Sequence, residues 1–165
     1  MTKISILTAA QIEQKLKRMA FEIWEKNSDE EEISIIGIEE VGAAVASKIH
    51  DFLKEISPLK INLYSIKIDK KNPLEKDITL SAGSLSGKTV ILIDDVANSG
   101  KTLLYAIKPL LAFEPKKIQV AVLVDRKHKN FPVTPDIIGH SVSTTLQEHI
   151  IVNFEKGKLT GAHLE

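Results

Sequence analysis

Two adjacent acids, Asp94 and Asp95, stand between an unbroken apolar run, Val90-Ile91-Leu92-Ile93, and a loop of small and hydroxylated residues, Ala97-Asn98-Ser99-Gly100-Lys101-Thr102. Such a loop at the start of a helix offers backbone N–H groups, hydroxyls and one ammonium, which together suit a phosphate. The acids just upstream would repel that phosphate, so they serve another group. Vicinal hydroxyls of a sugar fit best, or a magnesium ion. Paired acids at the end of a buried strand are costly without a partner, which argues against an ordinary strand-to-helix turn. A nucleotide P-loop is the competing motif, and it fails. Gly87-Lys88-Thr89 and Gly100-Lys101-Thr102 both supply its tail, but the required first glycine is Ala82 in one case and Asp95 in the other.

The elements that must position these groups are legible from periodicity. The apolar run before Asp94 is continuous, as expected where both faces of a parallel strand are covered. The helix after it, Thr102 to Leu111, has apolar residues at helical spacing, and Pro109 should kink or shorten it. Upstream, Thr8-Ala9-Ala10-Gln11 has capping-box spacing and starts a helix with Ile12, Leu16, Met19 and Ile23 on one stripe. Asn27 to Glu32 reads as a polar linker, Ile33 to Ile38 as a buried strand, Ala43 to Leu53 as a helix, and Ile61 to Ile68 as an alternating strand. Asp69 to Gly87 is polar, punctuated by Asn72-Pro73 and Gly83, and reads as a long mobile segment. Ile118 to Val124 is another buried strand, with two short strands expected around Asp136 to Ile138 and Ile150 to Phe154. Gly161 to Glu165 reads as an unstructured tail.

Strands alternating with helices predict an α/β fold, a central parallel sheet flanked by helices, in one domain spanning residues 1–165. In such sheets ligands bind outside the carboxyl ends of the strands. Three loops should therefore converge: Glu39 to Gly42, Asp94 to Lys101, and Asp125 to Phe131.

The sequence of apolar strand, Asp-Asp, short loop and Ser-Gly-x-Thr resembles the phosphoribosyl pyrophosphate (PRPP) signature of type I phosphoribosyltransferases. The resemblance implies that fold, with residues 69–87 as a flexible hood over the strand ends. It also implies that Asp94 and Asp95 hold the ribose hydroxyls while Ala97, Asn98, Ser99, Gly100, Lys101 and Thr102 cradle the 5-phosphate. Magnesium would accompany PRPP, and Asp94 and Asp95 would meet it through that substrate. The order of Ile6-Leu7, Ile36-Gly37-Ile38, Val120 through His128, and Asp136-Ile137-Ile138-Gly139 is similar to one subgroup. That subgroup is the bacterial bifunctional pyrimidine operon regulator and uracil phosphoribosyltransferase. The similarity runs from Ile4 to about Phe154 and is weakest between Ile66 and Ser86.

The resemblance also assigns roles where the chain departs from the subgroup. The pyrophosphate loop is Glu39-Glu40-Val41-Gly42, where the regulators have Thr-Arg-Gly. Gly42 keeps the turn, while two acids stand where a polyanion should lie, so the loop recruits a metal or holds pyrophosphate poorly, unless both acids simply face solvent. In the hood, Lys70 and Lys71 would supply positive charge to a departing pyrophosphate, although a lysine pair in a polar segment is most simply solvated. Val124, Asp125 and Arg126 match the base side of the regulators; a strand-end salt bridge is the simpler reading of the last two. Asn98 stands where 6-oxopurine enzymes of the family place an aspartate, and an amide cannot accept a proton. The expected reaction is transfer of the phosphoribosyl group to uracil, with a lapsed, nucleotide-sensing regulator as the alternative.

Bulk properties bound the partners. The 165 residues contain 22 basic and 22 acidic side chains, so global charge points to no polyanionic partner. RNA is ranked below catalysis, because Glu13, Glu22 and Glu25 interleave with Lys15, Lys17, Arg18 and Lys26, and Phe21 stands where the family often has histidine. The absence of cysteine suits a reducing cytoplasm, and no stretch reads as a membrane span. His128 and His140 are isolated and read as structural or surface residues. Family resemblance implies a homodimer or larger homo-oligomer.

Overall fold

The computed structural model describes residues 2–145 and 147–165. Its framework is a six-stranded sheet built from β2 (Glu32–Ile38), β3 (Lys60–Lys67), β4 (Thr79–Ser81), β5 (Thr89–Ala97), β6 (Lys117–Arg126) and β7 (Ile137–Val142), in the order β4-β3-β2-β5-β6-β7. All neighbours are parallel except β3 and β4. Helices α1 (Ala9–Lys26) and α2 (Val41–Ile56) pack with Ile91 and Ile93 on one face, and α3 (Lys101–Leu111) packs with Val90 and Leu92 on the other. Burial on both faces is what made the apolar run of β5 continuous rather than alternating.

The helix starting at Ala9 is capped as its sequence predicts. The Thr8 hydroxyl accepts from the Gln11 N–H, and the Gln11 side chain accepts from the Thr8 N–H. Its stripe of Ile12, Leu16, Met19 and Ile23 is fully buried. Arg18, expected on a cationic face, instead pairs with Glu22 and donates to the carbonyls of Ile138 (2.9 Å) and Gly139 (2.6 Å), clipping α1 to β7. Arg18→Ala should therefore cost about 1–2 kcal/mol, read as a lower urea midpoint at unchanged slope. An unchanged midpoint would show that the clip is dispensable.

Four expectations need correction. The polar linker at Asn27 begins with a fully buried residue, whose amide donates to the Ile23 carbonyl and to Gln119. Segment 69–87 is not wholly irregular, because Thr79–Ser81 adds an antiparallel edge strand to β3. Pro109, expected to kink or shorten α3, does not shorten it, since the helix runs two residues past it to Leu111. The largest correction is the carboxyl end. Residues 158–164 form β9, which pairs antiparallel with both β1 (Ile4–Thr8) and β8 (Ile150–Glu155) in a second, three-stranded sheet. His163 and Ala162 are buried there. The strand is short and mixes polar with small residues, so only its partners reveal it.

Candidate functional site

The order of connections fixes where a ligand can sit. From β2 the chain leaves through α2 to β3 on one side; from β5 it leaves through α3 to β6 on the other. The neighbouring strands β2 and β5 therefore part at their carboxyl ends, the crevice where open α/β sheets bind ligands. A cavity of about 620 Å³ opens there, lined by residues 94–103, Val41, Lys70, Lys71 and residues 149–152.

Asp94 and Asp95 are still part of β5, beyond the last pair with β2 at Gly37 and Ile93. Asp94 is 1% exposed, and its Oδ1 accepts from the Asp95 N–H at 2.9 Å. Lys70 reaches across from the segment after β3. Its Nζ lies 3.1 and 3.3 Å from the two carboxylate oxygens of Asp94 and 3.4 Å from Asp95 Oδ1. A local turn aims it there, since Asp69 Oδ1 accepts from the N–H groups of both Lys71 and Asn72 at 3.1 Å. Burial pushes the Asp94 carboxyl well above the usual carboxylate range; the charge of Asp95 adds to the rise and Lys70 opposes it. Burial works to lower Lys70, but the two acids outweigh it and hold the ammonium above its ordinary value. The rise at Asp94 is thus first an effect of burial, and the rise at Lys70 an effect of the two acids beside it.

The loop after the acids is built for backbone donation. Gly100 takes φ +87° immediately before α3, and a Cβ there would lie 3.3 Å from the Phe131 carbonyl. Ser99 Oγ accepts from the Lys101 N–H, while its carbonyl accepts from the N–H groups of Asn130 and Phe131. The loop after β6 thus braces the cradle from behind. Asn98 Oδ1 is buried with no hydrogen-bond partner among the described residues, an acceptor unused within the fold.

The remaining predicted residues divide. Val41 lines the main cavity, as does Lys71. Glu39 and Glu40, joined by a cis peptide bond, line a separate cavity with Ala43, Lys67 and Ile68, and Ser65 Oγ donates to the Glu39 carboxylate. Neither Glu39 nor Glu40 lines the Asp94 cavity. Gly42 was read as a turn residue; its φ is not positive, and its role is space. A Cβ there would fall 2.7 Å from Asp94 Oδ1. Lys70, read most simply as solvated, is ion-paired. Val124 is core, Asp125 pairs with Lys129, and Arg126 donates to the Thr145 carbonyl at 2.8 Å, so none of the three lines the cavity. The Asp125–Arg126 bridge does not form; each finds another partner. Sequence reasoning gave no role to residues 149–152, which line the cavity. The only signal was an expected strand at Ile150 to Phe154.

The model of the phosphoribosyl transferase domain matches residues 4–154. The chain belongs to the phosphoribosyltransferase family. Relatives include the bifunctional protein PyrR of Clostridium acetobutylicum, 35% identical over 92% of this chain and 90% of that protein. The bifunctional protein PyrR of Enterococcus faecalis is 32% identical over 94% of this chain and 92% of that protein. Among solved structures, a hypoxanthine-guanine phosphoribosyltransferase from Bacillus anthracis superposes with a TM-score of 0.71 at 19% identity, covering 90% of this chain and 85% of that one. The hypoxanthine phosphoribosyltransferase of Trypanosoma cruzi gives 0.74 at 15% identity, over 84% of this chain and 81% of that one. At those identities the structures establish the shared α/β fold of this pentosyltransferase family. No helix among the described residues is long and apolar enough to cross a membrane.

Proposed function

We propose that the protein transfers the 5-phosphoribosyl group of PRPP to a nucleobase, uracil first among them, giving a nucleoside monophosphate and pyrophosphate. The observation that carries this reading is one cavity joining the buried Asp94 and half-buried Asp95 to the N–H-rich loop that opens α3. Asp94 and Asp95 accept from the ribose hydroxyls, and residues 97–102 hold the 5-phosphate at the positive end of the helix. With both ends of the sugar fixed, the anomeric C–O bond to pyrophosphate breaks as a C–N bond to the base forms, and the N–H proton of the base leaves with the departing pyrophosphate or to water. Positioning and charge stabilisation supply the catalysis. Lys70 and Lys71, which line the same cavity, would receive the departing pyrophosphate. Uracil is favoured over 6-oxopurines because Asn98 stands where 6-oxopurine enzymes of the family place a proton-exchanging aspartate, and an amide cannot take that role.

Magnesium fits as an ion carried by the substrate. Among the described residues no three His, Cys, Asp or Glu side chains gather into a metal cage, and Asp94 and Asp95 alone would face an ion held on substrate oxygens. When bound, it would neutralise pyrophosphate charge.

A regulator that senses nucleotide without turnover is the second reading. It is favoured by the 39–42 loop, whose side chains bring no cation to the cavity. Calorimetric titration with PRPP and with uridine monophosphate, each with and without magnesium, separates the two. Magnesium-dependent PRPP binding followed by pyrophosphate release with uracil is the expected result. Binding of the monophosphate with no turnover would favour the sensor, and binding of neither ligand would sink both readings.

A further inference from the structure

We propose that Lys70 is a resident occupant of the ribose-binding acids, and that its displacement makes the site select pyrophosphate-bearing sugars over simple ribose phosphates. This inference rests on the reading of Asp94 and Asp95 as ribose ligands and goes beyond it in assigning the selectivity to one side chain.

The geometry defines a competition. The Lys70 ammonium spans three of the four carboxylate oxygens of the pair, at 3.1, 3.3 and 3.4 Å. Those are the acceptors that two vicinal hydroxyls need. Asp94 Oδ1 also accepts the Asp95 N–H, so both Asp94 oxygens are engaged, and the ammonium bridges the two acids where a sugar's hydroxyls would enter. A ribose therefore has to move the ammonium. The hydroxyls that replace it are neutral donors, and two nearly buried carboxylates would then lack their only cation among the described residues.

What happens to the displaced ammonium depends on the ligand. Lys70 is 38% exposed along its side chain and comes from a surface segment, so it has room to swing. With ribose 5-phosphate, the one phosphate is held at the α3 end of the cavity, and the ammonium gains nothing at the anomeric end. With PRPP, the anomeric pyrophosphate offers oxygens beside the acids. The lysine then exchanges a carboxylate pair for a pyrophosphate contact. One residue thus opposes the simple sugar phosphate and favours the pyrophosphorylated one. A plain attraction for phosphate would favour both.

The test is the pair of dissociation constants for ribose 5-phosphate and PRPP, measured with the full chain and with Lys70→Met, whose side chain is of similar length and has no charge. Ribose 5-phosphate should bind about tenfold tighter to the variant and PRPP about tenfold weaker, the change expected for one exposed-to-buried ion pair. The ratio of the two constants should move about a hundredfold. Lys70→Arg, which keeps the charge, should hold the ratio near that of the parent. Equal weakening of both ligands, or no change in either, would overturn the proposal while leaving the phosphoribosyl reading intact. If neither chain bound either ligand, the underlying reading would fall and this one with it.

Discussion

Asp94→Asn combined with Asp95→Asn is expected to abolish nucleotide synthesis and to weaken PRPP binding by about two to four orders of magnitude, since each carboxylate hydrogen bond contributes roughly 1.5–3 kcal/mol. The single change Asp94→Asn should show a second effect of opposite sign, on stability. The Asp94 carboxyl is raised by burial and by Asp95, so the folded chain holds that proton more tightly than the unfolded chain does. Stability from this group is therefore present at low pH. It falls as pH rises from the unfolded value of 3.8 through the raised folded value. An amide cannot ionise, so the variant escapes the fall, and Asp95 still gives Lys70 a partner at 3.4 Å. Asp94→Asn should melt above the parent at neutral pH, with the difference shrinking towards pH 3. Thermal unfolding across that range checks it. A variant that melted lower at neutral pH would mean the Lys70 pair outweighs the burial of the charge.

The second large effect is expected at Gly42. An added methyl would sit 2.7 Å from Asp94 Oδ1, 3.0 Å from Asp94 Cα and 3.2 Å from the Ile93 carbonyl. Two of these are backbone atoms of a central strand, and the third belongs to the candidate ribose ligand. Relief requires α2 to lift from β5 or Asp94 to rotate away from Lys70. Gly42→Ala should cost about 1–3 kcal/mol, the usual range for overpacking, and weaken PRPP binding at least about tenfold by displacing the carboxylate. Gly83→Ala is the matched control, because nothing lies within 4 Å of its added Cβ. Urea unfolding and PRPP titration of both variants decide the matter. If Gly42→Ala kept parental affinity, the close approach of α2 would have no part in placing Asp94.

Much of this molecule was legible because its signals are local. Continuous burial of β5, the Thr8 capping box and the glycine before α3 each depend on residues within a few positions of one another, and each appears as read. The same locality made the acid pair and the phosphate loop stand out, since strand, acids, loop and helix follow one another without interruption. Gly42 was noticed for the wrong reason: a glycine's sequence context does not distinguish a turn from a close approach.

What the sequence alone determined is the parallel α/β framework and the position of Asp94 and Asp95 at a strand's carboxyl end, directly before the loop that opens α3. Periodicity, capping and composition act over one or two turns of chain, so one dimension suffices to read them. The tertiary structure decided the rest. It set Lys70 on acids 24 and 25 residues away, turned Glu39 towards Ser65, gave Asp125 and Arg126 separate partners, and folded a polar tail into β9 as the middle strand of a second sheet. Each of these is a contact between segments whose own preferences are weak. A flexible ammonium, a surface carboxylate or a short mixed strand takes the partner that the assembled fold brings within reach, and only three dimensions specify which one that is.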